Sequence, residues 1–215
     1  MAIALVAHTF KVGAGTTPSI DTTGASLIVV TSESVGTPTL SDSSGNTPYI
    51  AAIAGTGPDT SHNILWYFPN PSTSGTHTFT VTVAGTGVAF EVTAWSGVLT
   101  SSDPLDQVNQ QSAPGADNPG SITPSQNNEL VISSAVSSSA VSWTIDSGFT
   151  ISDQSAPDFS GNQSAQAYLI QTTAGAVNPT WTGSPNITEV SNIASFKAAS
   201  SGPSAKKKAS MFLVF

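Results

Sequence analysis

The chain carries one pattern of short hydrophobic segments twice, at a spacing of about 100 residues. The matched segments are residues 27–30 with 130–133, 42–47 with 146–150, 65–68 with 168–171 and 92–95 with 193–196, together with Leu5 and Leu105 and with Phe79 and Trp181. The offset drifts from 103 to 101 along the chain, as small loop deletions would produce. The sequence therefore predicts two repeats, residues 1–103 and 104–199, followed by a C-terminal tail at 200–215.

Each repeat is predicted to consist of strands, because helical periodicity is nearly missing and short β-branched or aromatic runs alternate with turn residues. In the first repeat the predicted strands are residues 3–10, 26–32, 38–41, 47–54, 63–68, 76–83 and 89–95. The continuous run 27–30 is typical of a central strand that is covered on both faces. The chain has 34 Ser and 27 Thr, which suit the solvent side of strands.

This pattern predicts an all-β protein, an antiparallel β-sandwich of Ig-like or jelly-roll type with two pseudo-repeats. Two arrangements remain open at this stage. The repeats form either two Ig-like sandwiches packed together or one jelly-roll-like sandwich built from both halves, and about seven strands per repeat favours two lobes.

Charge is scarce and unevenly placed. Charged residues make up 8% of the chain, against about 25% in ordinary globular proteins. Arginine is absent, and all thirteen acidic residues lie between Asp21 and Glu189, so residues 12–196 carry a formal charge of −13. A nucleic-acid-binding surface needs clustered basic side chains, so the body of the protein supplies none. The same stretch offers trypsin no cleavage site, which suits a protein that works outside a cell.

Several other classes are disfavoured by what the chain lacks. Without cysteine it has neither a disulfide framework nor a thiolate site. No apolar run approaches the roughly 20 residues of a membrane helix. Residues 1–11 do not resemble a secretory signal, because a basic start and a small-residue cleavage site are missing. We expect a surface-type protein that leaves its host by lysis, with signal-independent secretion or a trimmed signal as the alternative.

Longer segments carry a resemblance to a known group. They are residues 24–30, the Asp42-Ser43-Ser44-Gly45-Asn46-Thr47 turn, residues 65–71 leading into 75–83, and residues 94–98 before Pro104-Leu105. Over residues 3–198 the chain resembles the Ser/Thr-rich β-sandwich repeats of bacteriophage structural proteins and bacterial surface proteins. The resemblance implies a strand plan but no shared catalytic motif.

No catalytic, metal or cofactor site is predicted, so we expect the protein not to be an enzyme. His8, His62 and His77 have no partner at a ligand spacing, and His77 is predicted to be half-buried or at a rim. Asp42 to Asn46, and Asp153 with Asp158, are better explained by turn chemistry than by calcium binding.

Aromatic side chains are the candidate ligand contacts, because exposed rings on a β-sandwich bind sugars by stacking. Trp95 and Trp181 match Phe196 and Phe79 in the other repeat, which indicates core positions. Trp66 alternates with Ile64 and Phe68 on one face of its strand, so it is also predicted to lie in the core. Trp143 has no aromatic counterpart, so Trp143 is the first candidate contact and Tyr67 the second.

The C-terminal tail is the other candidate for function. It contains three lysines followed by five apolar residues: Lys206, Lys207, Lys208, Met211, Phe212, Leu213, Val214 and Phe215. Our hypothesis is that the apolar end docks as an added strand or plug on its own sandwich or on a neighbouring subunit, while the lysines meet an acidic partner. The alternative is a tail without a role.

The sequence therefore predicts a non-enzymatic structural protein of a bacteriophage virion, displayed on the virion surface as a capsid decoration, cement, tail or fibre component. Its expected partners are further copies of itself and other virion proteins, with no nucleic acid and no membrane. The alternative is an extracellular carbohydrate-binding or adhesive module of a bacterium. A hydrolase is the least favoured class.

Overall fold

The computed structural model describes residues 1–54, 61–84, 87–112, 117–137, 142–157, 161–184 and 190–200. It confirms the predicted all-β, antiparallel sandwich class, with 59% of residues in strands. Within these ranges there is no helix long and apolar enough to cross a membrane. The strands are β1 (Ala4–Val12), β2 (Gly15–Thr16), β3 (Leu27–Val35), β4 (Thr39–Asp42), β5 (Tyr49–Ala54), β6 (Ser61–Pro69), β7 (Phe79–Thr82), β8 (Val88–Ser96), β9 (Leu105–Ser112), β10 (Glu129–Ser137), β11 (Ser142–Ile145), β12 (Thr150–Gln154), β13 (Gln163–Gln171), β14 (Trp181–Ser184) and β15 (Val190–Phe196).

Two five-stranded antiparallel sheets form the centre of the molecule. The first has the order β1-β8-β3-β6-β5, and the second has the order β9-β15-β10-β13-β12. Each strand of the first sheet thus has a counterpart at the same position in the second. The first sheet uses only residues before 97 and the second only residues after 104. The sequence repeat is therefore also a repeat of topology.

Strand pairing fixes how the two repeats align. Leu27 pairs with Trp95 and Leu130 with Phe196, which places these residues in equivalent positions, as the sequence offsets predict. Two of the matched segments are shifted, namely 65–68 and the end of 42–47, where Thr150 takes the position of Tyr49. Tyr67 is opposite Val29, whereas Tyr168 is opposite Ile132, so Tyr168 is the counterpart of Tyr67 and not of Leu65. The shift of two residues leaves every side chain on its predicted face because strands alternate with a period of two.

A small sheet covers the outer face of each large sheet. In the first repeat this sheet has the order β2-β7-β4, and in the second it consists of β11 and β14. The outer core of the first repeat contains Trp66, Phe68 and Phe79, while that of the second contains Trp143 and Trp181. Each repeat is thus a sandwich of one large and one small sheet.

The inner faces of the two large sheets pack against each other. Their shared core joins buried residues of both repeats: Ile3, Leu27, Val29, Ala52, Leu65, Tyr67, Trp95, Val98, Leu130, Ile132, Ala194 and Phe196. The continuous run at the start of β3 is buried on both faces, as predicted, because one face meets the small sheet and the other meets the second repeat. The two arrangements left open by the sequence therefore combine, since two sandwiches pack together through a common core.

Candidate functional sites

Trp143 is buried, which overturns its prediction as an exposed ligand contact. Only 4% of its surface is accessible, and its ring packs edge-on against Trp181 at 5.7 Å. Trp143 lies opposite Gly183 on β14, whereas the equivalent pair in the first repeat is Leu40 opposite Val81. The larger side chain on β11 fills the space that the glycine leaves, so Trp143 serves packing.

Tyr67 is also buried, with 3% of its surface accessible, so its predicted role as a ligand contact is wrong as well. Its ring lies in the shared core, 5.5 Å from Phe196. Its hydroxyl donates to both carboxylate oxygens of Asp103, at 3.0 and 3.1 Å. Burial and the hydrogen bond to Asp103 raise the pKa of Tyr67 above its ordinary value. The buried ring therefore positions a surface carboxylate.

An exposed tyrosine that the sequence analysis did not single out lies beside that carboxylate. Tyr49, at the start of β5, is 54% exposed and leans on Tyr67 with a centroid distance of 5.6 Å. A cavity of about 270 Å³ opens between the start of β5 and the loops that follow β6 and β8. Its lining consists of Tyr49, Pro69, Asn70, Thr100, Ser102 and Asp103. No signal in the sequence marked Tyr49, because the matched segments paired Thr150 with Thr47, and only the strand pairing makes Thr150 the counterpart of Tyr49.

His77 is fully buried and not half-buried as predicted. Its Nε2 atom is 2.8 Å from Asp42 Oδ2, and its Nδ1 atom is 2.9 Å from the Thr22 hydroxyl. This order of hydroxyl, imidazole and carboxylate is also that of nucleophilic active sites. Here all three side chains are sealed from solvent, so no substrate reaches the hydroxyl. The cluster links three segments beside the small sheet: the loop before β3, the end of β4 and the residues just before β7.

The turn after β4 uses both carboxylate oxygens of Asp42 internally. The backbone N–H of Asn46 donates to Asp42 Oδ1 at 2.8 Å, and the Asn46 amide donates to Oδ2. Asp153 pairs with His8 at 2.9 Å, while Asp158 lies outside the described residues. Across the described ranges, no group of three or more His, Asp or Glu side chains is placed to hold a metal ion.

Next to the apolar shared core, the interface between the repeats turns polar. Glu91 on β8 accepts from Ser164 Oγ at 2.6 Å and from Thr31 Oγ1 at 3.1 Å. The Gln166 amide donates to Thr31 at 3.0 Å, so this network crosses between the two large sheets. Burial raises the pKa of Glu91 to about 8, so the carboxyl is largely protonated at neutral pH.

A second group of buried polar contacts also joins the repeats. The Asn162 amide donates to Glu33 Oε1 at 2.9 Å. Asn63 accepts from Ser134 Oγ at 3.0 Å through its side chain and from the Asn192 amide at 2.8 Å through its backbone oxygen. These contacts lie between packed sheets, so they hold the repeats in register and offer no open site.

One edge of the first large sheet exposes apolar side chains. Ile50 and Ile53 on β5 are 53% and 43% exposed. They pair with Trp66 and Ile64 of the outer core, which places them on the face opposite to that of Tyr49. In the described part of the chain, β5 pairs on one side only. The tail residues predicted to dock, Lys206 to Lys208 and Met211 to Phe215, lie outside the described residues.

A larger cavity of about 490 Å³ lies where the first residues meet the last described ones. Its lining consists of Met1, Ala2, Ile3, Gln126, Asn127, Asn128, Ile170, Ala198, Ala199 and Ser200. Nearby, Lys197 pairs with Asp106 at 2.9 Å, which lowers the pKa of Asp106 although burial opposes this. The lining offers amides, apolar groups and the Ser200 hydroxyl.

Comparison of the chain with models of protein families, with curated proteins and with solved structures finds no match.

Proposed function

We propose that the protein is a non-enzymatic structural component of a bacteriophage virion, a capsid decoration or cement protein or a tail or fibre component, that acts through protein–protein assembly. The observation that carries the proposal is the open edge of β5 with its exposed Ile50 and Ile53. Residues 12–196 contain no lysine or arginine and thus no trypsin site. This, together with the two-repeat strand plan, agrees with a protein displayed on the surface of a virion.

The edge of β5 lacks charges and prolines, two of the features that commonly protect an edge strand against pairing with another chain. Natural edge strands are commonly guarded by charges, prolines or bulges. The other edges of the large sheets carry Lys11 on β1, Asp106 on β9 and Asp153 on β12. Strand β5, with the sequence YIAAIA, carries no charge and no proline, although it has a bulge. An edge of this kind is suited to accept a strand from a partner.

The tail of a second copy fits this edge by its chemistry. Residues Met211 to Phe215 are five consecutive apolar residues, long enough to add a short strand. The three lysines before them complement a body whose residues 12–196 have a formal charge of −13. We therefore propose that copies join tail to edge, with other virion proteins as further partners.

Sedimentation velocity tests the assembly step on the full chain. We expect concentration-dependent oligomers that are lost in Ile53→Lys and on deletion of residues 203–215. Phe10→Lys is the matched control, because Phe10 is a similarly exposed apolar residue on β1, the opposite edge strand of the same sheet. A wild-type chain that stays monomeric, or an Ile53→Lys chain that assembles like the wild type, contradicts the proposal.

The virion setting has its own test. Particles purified by density gradient from cultures of the organism that encodes the chain should contain it in a fixed ratio to a shell or tail protein, as quantified by mass spectrometry. Absence from such particles would contradict the virion role even if the chain self-assembles.

A further inference from the structure

The cavity beside Tyr49 combines a stacking surface with hydrogen-bonding groups. Tyr49 supplies an exposed aromatic ring, Asp103 a carboxylate, Asn70 an amide, and Thr100 and Ser102 hydroxyls. Sugars present a C–H face that packs on aromatic rings and hydroxyls that pair with carboxylates and amides. The lining therefore offers both kinds of contact that a sugar ring needs.

The carboxylate is held in a fixed position before any ligand arrives. Tyr67, itself buried, donates to both oxygens of Asp103, and the backbone N–H of Leu105 donates to Oδ1 at 3.0 Å. Each carboxylate oxygen has two lone pairs, so Oδ2 keeps acceptor capacity for a further donor. A site that is already ordered loses less entropy when it binds.

The fold does not require an aromatic residue at position 49. Its counterpart in the second repeat is Thr150, although the residue beneath each is a tyrosine, Tyr67 or Tyr168. The same strand position thus packs stably with a small polar side chain. The exposed ring at Tyr49 is an addition to the repeat plan.

The geometry points to a binding site for one ring of a neutral sugar, with Tyr49 as the stacking platform and Asp103 as the hydroxyl acceptor. The described lining residues include no lysine, arginine or histidine, and the carboxylate repels anions, so sulfated and acidic sugars are excluded. The volume of about 270 Å³ lies just below the roughly 300 Å³ at which drug-sized pockets begin, which suits a single ring.

Saturation-transfer NMR on the full chain tests the site with a panel of neutral pyranosides and their oligomers, beside sulfated and uronic-acid sugars at the same millimolar concentrations. We expect signal from at least one neutral sugar. Its affinity should fall at least about fivefold in Tyr49→Ala, and it should be largely kept in Tyr49→Phe, which preserves the ring. Asp103→Asn should weaken binding as well.

The controls separate this site from the assembly edge. Phe10→Ala removes an exposed aromatic on another strand, and Ile53→Lys alters the opposite face of β5, so both should bind as the wild type does. No binding by any neutral sugar, binding of acidic sugars alone, or equal binding in Tyr49→Ala would overturn the inference. If Ile53→Lys abolishes assembly but still binds the sugar, the assembly proposal and the sugar-binding site are shown to be separate, and the inference is supported.

Discussion

The Glu91 carboxyl lies in the polar part of the interface between the repeats. The folded-state pKa of Glu91, about 8, is above its ordinary value of 4.5, so the folded chain binds this proton more tightly than the unfolded chain does. Its contribution to stability is therefore complete below about pH 4.5 and is lost as the pH rises toward 8, at up to about 1.4 kcal/mol per pH unit.

We predict that Glu91→Gln flattens this dependence, because the amide stays neutral and still pairs with Ser164 and Thr31. Urea unfolding between pH 5 and pH 9 measures it. The free energy of unfolding of Glu91→Gln should still fall with pH, but less steeply, because burial also raises the pKa of Glu129 and of Asp153. Asp21→Asn, at an exposed carboxylate whose pKa is lowered, is the control that should keep the wild-type slope over this range. Identical slopes for wild type and Glu91→Gln would contradict the prediction.

The buried contact between His77 and Asp42 should contribute strongly to stability. His77→Leu leaves the Asp42 carboxyl sealed with only its turn donors, so we expect a loss of about 3 kcal/mol in the free energy of unfolding. His8→Leu removes a histidine that is half exposed and paired with Asp153, and should cost about 1 kcal/mol or less. Chemical denaturation of both variants measures the difference, and equal losses would refute the explanation.

Side-chain burial was predictable where the repeat or a local pattern constrained it, as alternation did for Trp66. Trp95 and Trp181 could be placed in cores because Phe196 and Phe79 occupy the equivalent positions. Trp143 could not, since the space it fills depends on Gly183, a strand partner distant in sequence. Tyr49 escaped notice because its exposure arises from the edge position of β5, which periodicity does not show.

At the scale of strands, the end of β8 meets the start of the chain very closely. Gly97 has a φ of +77°, and a Cβ there would lie 2.3 Å from the carbonyl oxygen of Ala2. We predict that Gly97→Ala costs about 3 kcal/mol or more, because backbone strain and a backbone clash add. Gly45→Ala, at φ +73° with open space around it, should cost only about 1–2 kcal/mol. Thermal unfolding of the two variants compares them, and a Gly97→Ala as stable as Gly45→Ala would rule out the clash.

Strand existence was predictable and strand length less so. All seven segments predicted for the first repeat are strands, because alternation and turn residues mark them locally. The predicted 76–83 run shortens to Phe79–Thr82, where β4 and β2 supply partners, and His77 makes only an isolated bridge with Ile20. Strand β2 has two residues and exists through its pairing with Val81 and Thr80, so no pattern could reveal it.

At the scale of the whole molecule, the shared core should make the two repeats unfold together. Ile132→Ala removes part of that core from the second repeat and should cost about 2–5 kcal/mol. We predict one unfolding transition, with hydrogen exchange accelerated equally in β3 and β10. Ile28→Ala, in the outer core of the first repeat, should give the same pattern. Accelerated exchange confined to the second repeat in Ile132→Ala would mean that the halves unfold independently.

The matching strand order of the two large sheets has an evolutionary consequence. Two equivalent units that pack through the same face have the geometry of a symmetric homodimer whose subunits share one chain. In a homodimer every substitution changes two places at once, whereas here it changes one. Glu91 occupies the position that Asn192 has in the second repeat, and Tyr49 the position of Thr150, so each half carries its own side chains on a common strand plan.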